Sequence, residues 1–235
     1  MSATLLRAAA LSCAALMATD VAGEDIDRSA VPMPPFVQAA MPGIGKVGYV
    51  GIGSKTACTG ALVSPLHVLT ANHCLRSYLP ALAVTFTAGA SLDDASQWTR
   101  GARVIRMETV DGEFATDVAL VELREPMEEI DIIPLADGPV DPFASDLAFI
   151  GYARDDPERL TGRLDCLAFA TKPGLIETDC AVVVGHSGAP LLVQQGGELR
   201  LVGTVVARRS GLLETSIAVP LPDEFRAVIE EALGT

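Results

Sequence analysis

Residues 185–190 read Gly-His-Ser-Gly-Ala-Pro, and this stretch decides how the rest of the chain is interpreted. Two further stretches lie far upstream: residues 69–74 read Leu-Thr-Ala-Asn-His-Cys, and residues 116–120 read Thr-Asp-Val-Ala-Leu. Together they supply a histidine, an aspartate and a serine in chain order, namely His73, Asp117 and Ser187. A serine hydroxyl becomes a competent nucleophile when a histidine accepts its proton and a carboxylate orients that histidine. The three stretches therefore predict nucleophilic catalysis by a serine.

The composition is that of a folded protein with a sizeable apolar core. The 235 residues are 49% hydrophobic and 20% charged, and the formal net charge is −13. This length fits one ordinary domain or two small halves that share an interface. The acidic balance argues against nucleic-acid binding, which requires clustered Lys and Arg to meet phosphates.

The N-terminal residues 1–23 are typical of a secretory signal peptide. A positive start precedes an apolar run at residues 8–18, which is too short to span a bilayer. Cleavage is expected after Gly23 or after Ala18, and a lipid anchor on Cys13 is a weaker alternative. No later segment reaches the roughly 20 apolar residues that a membrane span needs. We therefore expect an exported protein, periplasmic or secreted, with no integral membrane segment after signal removal.

Removal of the signal leaves four cysteines, Cys58, Cys74, Cys166 and Cys180. An even number in an exported chain predicts disulfides, with three possible connectivities. The two local pairings, first with second and third with fourth, would each close a loop of about 15 residues, worth about 3 kcal/mol in the chain-entropy model. Zinc is the competing interpretation. Because the spacing lacks a close Cys-x-x-Cys pair, we expect no metal site.

Short β-favouring runs broken by Gly, Pro, Asn and Asp make up most of the chain. They follow a Pro-rich stretch at residues 24–42, interpreted as an extended leader or a pro-segment. A first series of runs occupies residues 43–128 and a second occupies residues 129–222. Regular short strands with turn signals predict an all-β barrel or sandwich. At residues 223–235, apolar side chains recur at helical spacing and predict a helix that packs on a barrel.

The histidine stretch resembles that of trypsin-like serine proteases, in particular the secreted bacterial peptidases of this family. Residues 58–64 (CTGALVS) and 68–74 (VLTANHC) match the region in which the family bonds two cysteines, here Cys58 and Cys74. Residues 116–120 and 185–190 resemble the family's Asp-Ile-Ala-Leu and Gly-Asp-Ser-Gly-Gly-Pro motifs. The resemblance covers residues 44–233, with an Asn at position 72 as a mild departure.

The resemblance implies a chymotrypsin-like fold: two packed six-stranded antiparallel β-barrels, an active site between them and a C-terminal α-helix. His73 would act as general base and then acid, Asp117 would orient it, and Ser187 would attack the carbonyl. The backbone N–H groups of Gly185 and Ser187 would form the oxyanion hole, each worth about 3–4 kcal/mol in the transition state. A glycine at 185 would leave its N–H free of a side chain. The implied function is peptide-bond hydrolysis through an acyl-enzyme, by a monomer acting on a protein or peptide without a cofactor.

His186 is one departure from the family pattern. In members activated by N-terminal cleavage, an Asp precedes the serine and pairs with the new terminal ammonium. A histidine cannot form that pair at neutral pH, so the oxyanion loop must be held otherwise. We expect His186 to point outward or to be locally hydrogen-bonded, with a role in pH-dependent activity as the alternative.

The substrate pocket is the other departure. Ala181 lies six residues before the serine, where trypsin carries the Asp that selects Lys and Arg, so a trypsin-type preference is not expected. Val206, Ala207 and Arg208 stand in the register of the family's pocket strand. Three placements of Arg208 and Arg209 stay open: pairing with an acidic P1 side chain, obstruction of the pocket, or exposure to solvent.

Three other classes of protein compete with this interpretation. A Gly-x-Ser-x-Gly stretch also marks the nucleophile elbow of α/β-hydrolases. That fold places the Asp and His after the serine, and no histidine follows residue 186. A catalytically latent or inactive protease-like binding protein, with an occluded site, stays open as the chief alternative. An esterase that uses the same three residues on a non-peptide acyl group is the other.

Overall fold

The computed structural model describes residues 27–50, 58–89, 98–107, 114–211 and 214–234. The expected signal peptide therefore lies outside the described residues. In the leader, strand β1 (Val31–Pro32) is followed by a short helix, α1 (Pro35–Ala40). The leader is thus not extended throughout, because Pro35 occupies the first helical turn, where its fixed φ favours a helix start.

The first half of the chain forms a closed six-stranded antiparallel barrel in the order β2-β3-β4-β7-β6-β5. Its strands are β2 (Ile44–Tyr49), β3 (Cys58–Ser64), β4 (His67–Thr70), β5 (Val84–Ala88), β6 (Trp98–Arg106) and β7 (Ala119–Leu123). Successive side chains of a strand point to opposite faces, and this decides which of them enter the barrel. In β5, Val84, Phe86 and Ala88 are buried, and the threonines between them are only partly buried.

The second half forms an eight-stranded sheet in the order β1-β9-β8-β12-β13-β14-β11-β10. Its further strands are β8 (Leu147–Ala153), β9 (Asp156–Cys166), β10 (Ala168–Lys172), β11 (Leu175–Thr178), β12 (Pro190–Gln195), β13 (Glu198–Arg209) and β14 (Thr215–Pro220). The ladders between these strands are antiparallel.

The all-β, two-barrel architecture confirms the fold expected from the resemblance, but the second sheet does not have six strands. Two features raise the number to eight. The leader adds β1 at one edge, where Val31 pairs with Gly162 and Pro32 with Thr161. At the other edge, the chain after Cys166 is divided at Leu167, so β10 is a strand separate from β9.

One hydrophobic cluster runs through both halves and ties the leader to them. It includes Met33 and Val37 of the leader, Leu69 of the first barrel and Ile150 of the second sheet. Phe225 of the C-terminal helix α2 (Asp223–Leu233) belongs to the same cluster. The two halves therefore share a core at their interface, where the active site of this architecture is expected.

The C-terminal helix is confirmed where the apolar spacing predicts it. Asp223 and Glu224 lie in its first turn, where acidic side chains favour the positive end of the helix dipole. Gly234, with φ of 73°, closes its last turn. Among the described residues, no helix is long and apolar enough to cross a bilayer.

Candidate active site

The structure contains the two local disulfides. Cys58 bonds to Cys74 and Cys166 bonds to Cys180, with Cα–Cα distances of 6.1 and 5.4 Å. His73 lies against the first of these bridges, so a histidine and two cysteines cluster together. Because these two sulfur atoms are bonded to each other, neither is a thiolate that could bind zinc.

His73 and Asp117 are held together at the same end of two neighbouring strands. His73 lies in a 3-10 turn directly after β4, and Asp117 lies just before β7. Because Thr70 of β4 pairs with Ala119 of β7, the two side chains meet. The Asp117 carboxylate accepts the His73 backbone N–H at 2.8 Å, and its other oxygen lies 2.7 Å from His73 Nδ1. A carboxylate can only accept, so Nδ1 carries the proton and Nε2 presents its lone pair.

Ser187 lies next to this pair. Its carbonyl oxygen accepts the Thr59 N–H at 2.9 Å and is 3.8 Å from Cys74 Sγ, so it lies beside the residue that follows His73. Its side chain is partly exposed. Within the described chain, no hydrogen bond joins the Ser187 hydroxyl to the His73 ring. Such contacts are often long in unliganded enzymes and shorten when substrate binds.

The orientation of two peptide planes turns the N–H groups of Gly185 and Ser187 away from the backbone hydrogen bonds around them. The Val184 carbonyl accepts the Arg154 N–H at 2.8 Å, and the His186 carbonyl accepts the Ala189 N–H at 2.9 Å. In a trans peptide the N–H points opposite to the C=O. Gly185 N–H and Ser187 N–H are therefore turned away from these bonds, and among the described residues neither has an acceptor. Free, oriented N–H groups beside a serine are what an oxyanion hole requires.

A glycine is required at position 185 for two reasons besides the expected one. Its φ is +109°, a conformation that side chains rarely adopt. A Cβ there would lie 2.4 Å from the Tyr152 carbonyl oxygen and 2.6 Å from the Arg154 nitrogen. The positive φ and the close approach of the β8–β9 turn therefore each exclude a side chain at this position.

His186 points inward and is fully buried. Its Nδ1 accepts the Val183 N–H at 3.2 Å, so Nε2 carries the proton and donates it to Thr161 Oγ1 at 2.7 Å. The Phe149 ring packs edge-on at 5.1 Å. Burial lowers the pKa of the His186 imidazole to about 4, so the ring is neutral at neutral pH. Of the expected placements, the outward one is excluded and the locally hydrogen-bonded one is observed.

Thr59 bonds to the loop that carries Ser187, a contact that the sequence did not predict. Its hydroxyl donates to the Gly185 carbonyl and accepts the Tyr152 N–H, both at 2.9 Å, and its own N–H bonds to Ser187. It is completely buried on β3. A threonine between Cys and Gly in a strand carries no signal of this role, because its partners are more than 90 residues away.

A small apolar cavity of about 130 Å³ adjoins the serine. Besides Ser187, it is lined by Val182, Val183, Val184, Val205, Ala207 and Arg208. Of the pocket residues expected from the sequence, Ala207 and Arg208 contribute to it, and Ala181 and Val206 do not. Val206 packs into the core from the opposite face of β13. A larger cavity of about 510 Å³, beside α2 and β11, contains none of these residues.

Arg208 lies at the rim of this cavity with its side chain exposed, so it does not fill the pocket. Its neighbour Arg209 is ion-paired with Glu177 at 3.2 Å. In the part of the chain that the structure describes, no carboxylate lies within ion-pairing distance of Arg208.

Comparison with known proteins agrees with this geometry. Residues 58–203 match the family described as the trypsin-like peptidase domain, and this range includes His73, Asp117 and Ser187. The chain is also similar to a trypsin from Simulium vittatum, with 32% identity over 108 residues. That similarity covers 46% of this chain and 40% of the length of the relative. Because the family match extends over more than half of the sequence, the chain belongs to the trypsin-like peptidase family.

Proposed function

We propose that this protein is a serine endopeptidase whose catalytic residues are His73, Asp117 and Ser187. One observation carries the proposal: Asp117 binds both the backbone and the ring of His73, at 2.8 and 2.7 Å. This contact fixes the ring in the tautomer that leaves Nε2 free to act as a base. The neighbouring loop supplies the serine and two N–H groups without an acceptor among the described residues.

The reaction follows from these positions. His73 Nε2 takes the Ser187 proton as Oγ bonds to the carbonyl carbon of the scissile peptide, and the Gly185 and Ser187 N–H groups donate to the oxyanion. Collapse of the intermediate breaks the C–N bond, and the amine leaves with the proton from Nε2. Water then loses a proton to Nε2 while its oxygen bonds to the acyl carbon. Ser187 Oγ leaves and recovers that proton, which completes the cycle.

The proposed substrate carries a small apolar side chain at P1. The cavity beside Ser187 is about 130 Å³ and its walls are valine and alanine side chains, apart from Arg208 at the rim. Each methylene added or removed in such a pocket changes discrimination by about 1–3 kcal/mol. We therefore expect Ala or Val at P1 to be cleaved faster than Phe, Lys or Arg.

Export is also part of the proposal. The two disulfides support it, because such bonds form and persist in oxidising compartments such as the periplasm or the extracellular space. The signal peptide and the monomeric state are predictions that the described residues do not address. Intact mass of the protein recovered from its natural compartment would give the processed N-terminus.

The decisive experiment is labelling of the purified protein with a fluorophosphonate probe. Such a probe reacts with an activated serine beside a working oxyanion hole. We expect labelling of the wild type, none of Ser187→Ala, and wild-type labelling of Ser77→Ala, which removes an exposed hydroxyl as a matched control. A folded, disulfide-bonded wild type that stays unlabelled would favour the binding-protein alternative. Parallel peptide and ester substrates separate a peptidase from an esterase.

A further inference from the structure

His186, the residue before the proposed nucleophile, is buried and uncharged, and it holds the loop of residues 183–187 in place through hydrogen bonds. Two hydrogen bonds from His186 to Val183 close the turn that contains Gly185. The His186 N–H donates to the Val183 carbonyl at 3.1 Å, and His186 Nδ1 accepts the Val183 N–H at 3.2 Å. The same turn supplies the walls Val183 and Val184 of the small cavity. The position of the ring therefore fixes both the oxyanion donors and the pocket wall.

The other ring nitrogen ties this turn to the sheet. Nε2–H donates to Thr161 Oγ1 at 2.7 Å, and the Thr161 hydroxyl in turn donates to the Gly151 carbonyl at 3.4 Å. Thr161 is itself paired with Gly151 of β8 and with Pro32 of the leader strand. Among the described residues, no carboxylate or ammonium is hydrogen-bonded to the ring, so the anchor is complete without charge.

We propose that His186, bonded to Thr161, is the positioning residue that holds the oxyanion loop in its working form, so that the site is assembled without a cleavage-generated N-terminus. This inference rests on the proposed peptidase function. The Thr161 hydroxyl is essential to it, whereas the size of the side chain is not. A chain that keeps its leader is then active as folded.

The test compares two variants of Thr161 in the full chain with its leader. Thr161→Val removes the hydroxyl at nearly constant volume, and Thr161→Ser keeps it. Thr204→Val makes the same change at a buried threonine whose hydroxyl has no partner within the described residues. For Thr161→Val we expect kcat and the fluorophosphonate labelling rate to fall about 10-fold or more, with KM within about 3-fold. Thr161→Ser and Thr204→Val should stay within about 3-fold of the wild type.

The outcomes separate this inference from the proposed function. An unlabelled wild type contradicts the peptidase function and the inference with it. A labelled wild type with an equally active Thr161→Val variant, or with a folded Thr161→Ser variant as impaired as Thr161→Val, overturns the inference alone. If Thr161→Val does not fold, nitrogen NMR of the wild type decides: His186 should be the neutral Nε2–H tautomer at neutral pH. An imidazolium, or an Nδ1–H tautomer, contradicts the anchor.

An independent observation concerns the leader. The Arg28 guanidinium binds Asp165 at 3.0 Å and Asp179 at 3.1 Å, the residues that directly precede Cys166 and Cys180 of the second disulfide. The Arg28 carbonyl accepts the Ala181 N–H at 2.9 Å, and Ser29 forms a β-bridge to Ala181. Ala181 immediately precedes the valines that line the cavity.

The rest of the leader is built into the same sheet. Met33 donates its N–H to the Leu160 carbonyl at 2.8 Å, and both Met33 and Val37 are buried in the shared core. We infer that this segment is a permanent part of the catalytic domain rather than a removable pro-segment, and that Arg28 positions the wall of the substrate pocket. This second inference also rests on the proposed function, but it is independent of His186.

Its test separates substrate binding from nucleophile reactivity. Arg28→Ala should raise KM for a peptide with Ala at P1 about 5-fold or more, while labelling by a small fluorophosphonate changes less than about 3-fold. Arg28→Lys should resemble Arg28→Ala, since one ammonium cannot replace the fork that reaches both carboxylates. Arg159→Ala, which breaks the exposed ion pair with Asp156 on β9, is the matched control. An unchanged KM, or an intact mass showing that the active enzyme begins after Met33, contradicts the inference.

Discussion

Thr59 donates its hydroxyl hydrogen to the Gly185 carbonyl at 2.9 Å, so a strand of the first barrel fixes the catalytic loop of the second sheet. The same oxygen accepts the Tyr152 N–H from the strand next to that loop. One buried side chain thus joins the half that carries His73 to the half that carries Ser187. The relative position of base and nucleophile depends on this contact as well as on the shared core.

Replacement of Thr59 by Val should therefore reduce both stability and activity. It leaves the Tyr152 N–H and the Gly185 carbonyl buried without their partner, at about 1–3 kcal/mol each. Urea unfolding should show the loss of stability, and kcat should fall because the oxyanion loop is released. Thr59→Ser keeps the hydroxyl and should recover most of both. A Thr59→Val variant as stable and active as the wild type, or a Thr59→Ser variant as damaged as Thr59→Val, would contradict this role of the hydroxyl.

Asp117→Asn should leave the fold intact and lower kcat by about four orders of magnitude. The amide oxygen can still accept the His73 backbone N–H, as Asp117 does at 2.8 Å. Its NH₂ group then faces Nδ1, which must accept, and the ring proton moves to Nε2. The base is lost through the wrong tautomer rather than through unfolding. Steady-state kinetics, together with an unchanged thermal midpoint, check this, and retention of more than a tenth of kcat would contradict the assignment.

A short local pattern is enough to predict candidate catalytic residues and the two disulfides that the structure contains. His73, Asp117 and Ser187 each lie in such a stretch, and the cysteines pair within loops that the spacing suggests. The leader strand could not be predicted, because its partners lie about 130 residues downstream and its register depends on long-range packing. That pairing adds β1, one of the two features that give the second sheet eight strands.

The pocket was predicted less well because it depends on register. A bulge between Val205 and Ala207 interrupts the pairing of β13 with β14, and these two residues line the cavity while Val206 faces the core. Ala181, whose N–H donates to the Arg28 carbonyl of the leader, does not line the cavity. Counting residues along the chain from the serine takes account of neither the bulge in β13 nor the contact between Ala181 and the leader.

Acid should destabilise the protein through His186. The unfolded chain binds a proton near pH 6.5, whereas burial lowers the pKa of this imidazole to about 4 in the folded protein, with Asp155 opposing the shift. Its contribution to stability is therefore complete above pH 6.5 and decreases as the pH falls towards 4, by about 3 kcal/mol in all. Urea unfolding at pH 7, 5.5 and 4 measures this.

The matched variant for this measurement is His186→Gln, which has no proton to gain in that range. The difference between the two unfolding free energies should shrink as the pH falls from 6.5 to 4. His67, whose pKa is also lowered by burial, is present in both proteins and cancels. A constant difference across the range would mean that His186 does not stay neutral in the folded state.

Arg208 should select the charge of the substrate near P1. Its guanidinium is exposed at the cavity rim, and among the described residues no carboxylate pairs with it, so an acidic substrate group can bind there. An exposed pair contributes up to about 1 kcal/mol, which corresponds to about 5-fold in kcat/KM. In peptides with Ala at P1, an acidic neighbour should be favoured over a basic one by roughly this factor, and Arg208→Glu should reverse the order. Arg209→Glu, at a guanidinium already paired with Glu177, is the comparison variant and should change the order less. If Arg208→Glu leaves the order unchanged at low ionic strength, the rim arginine takes no part in recognition.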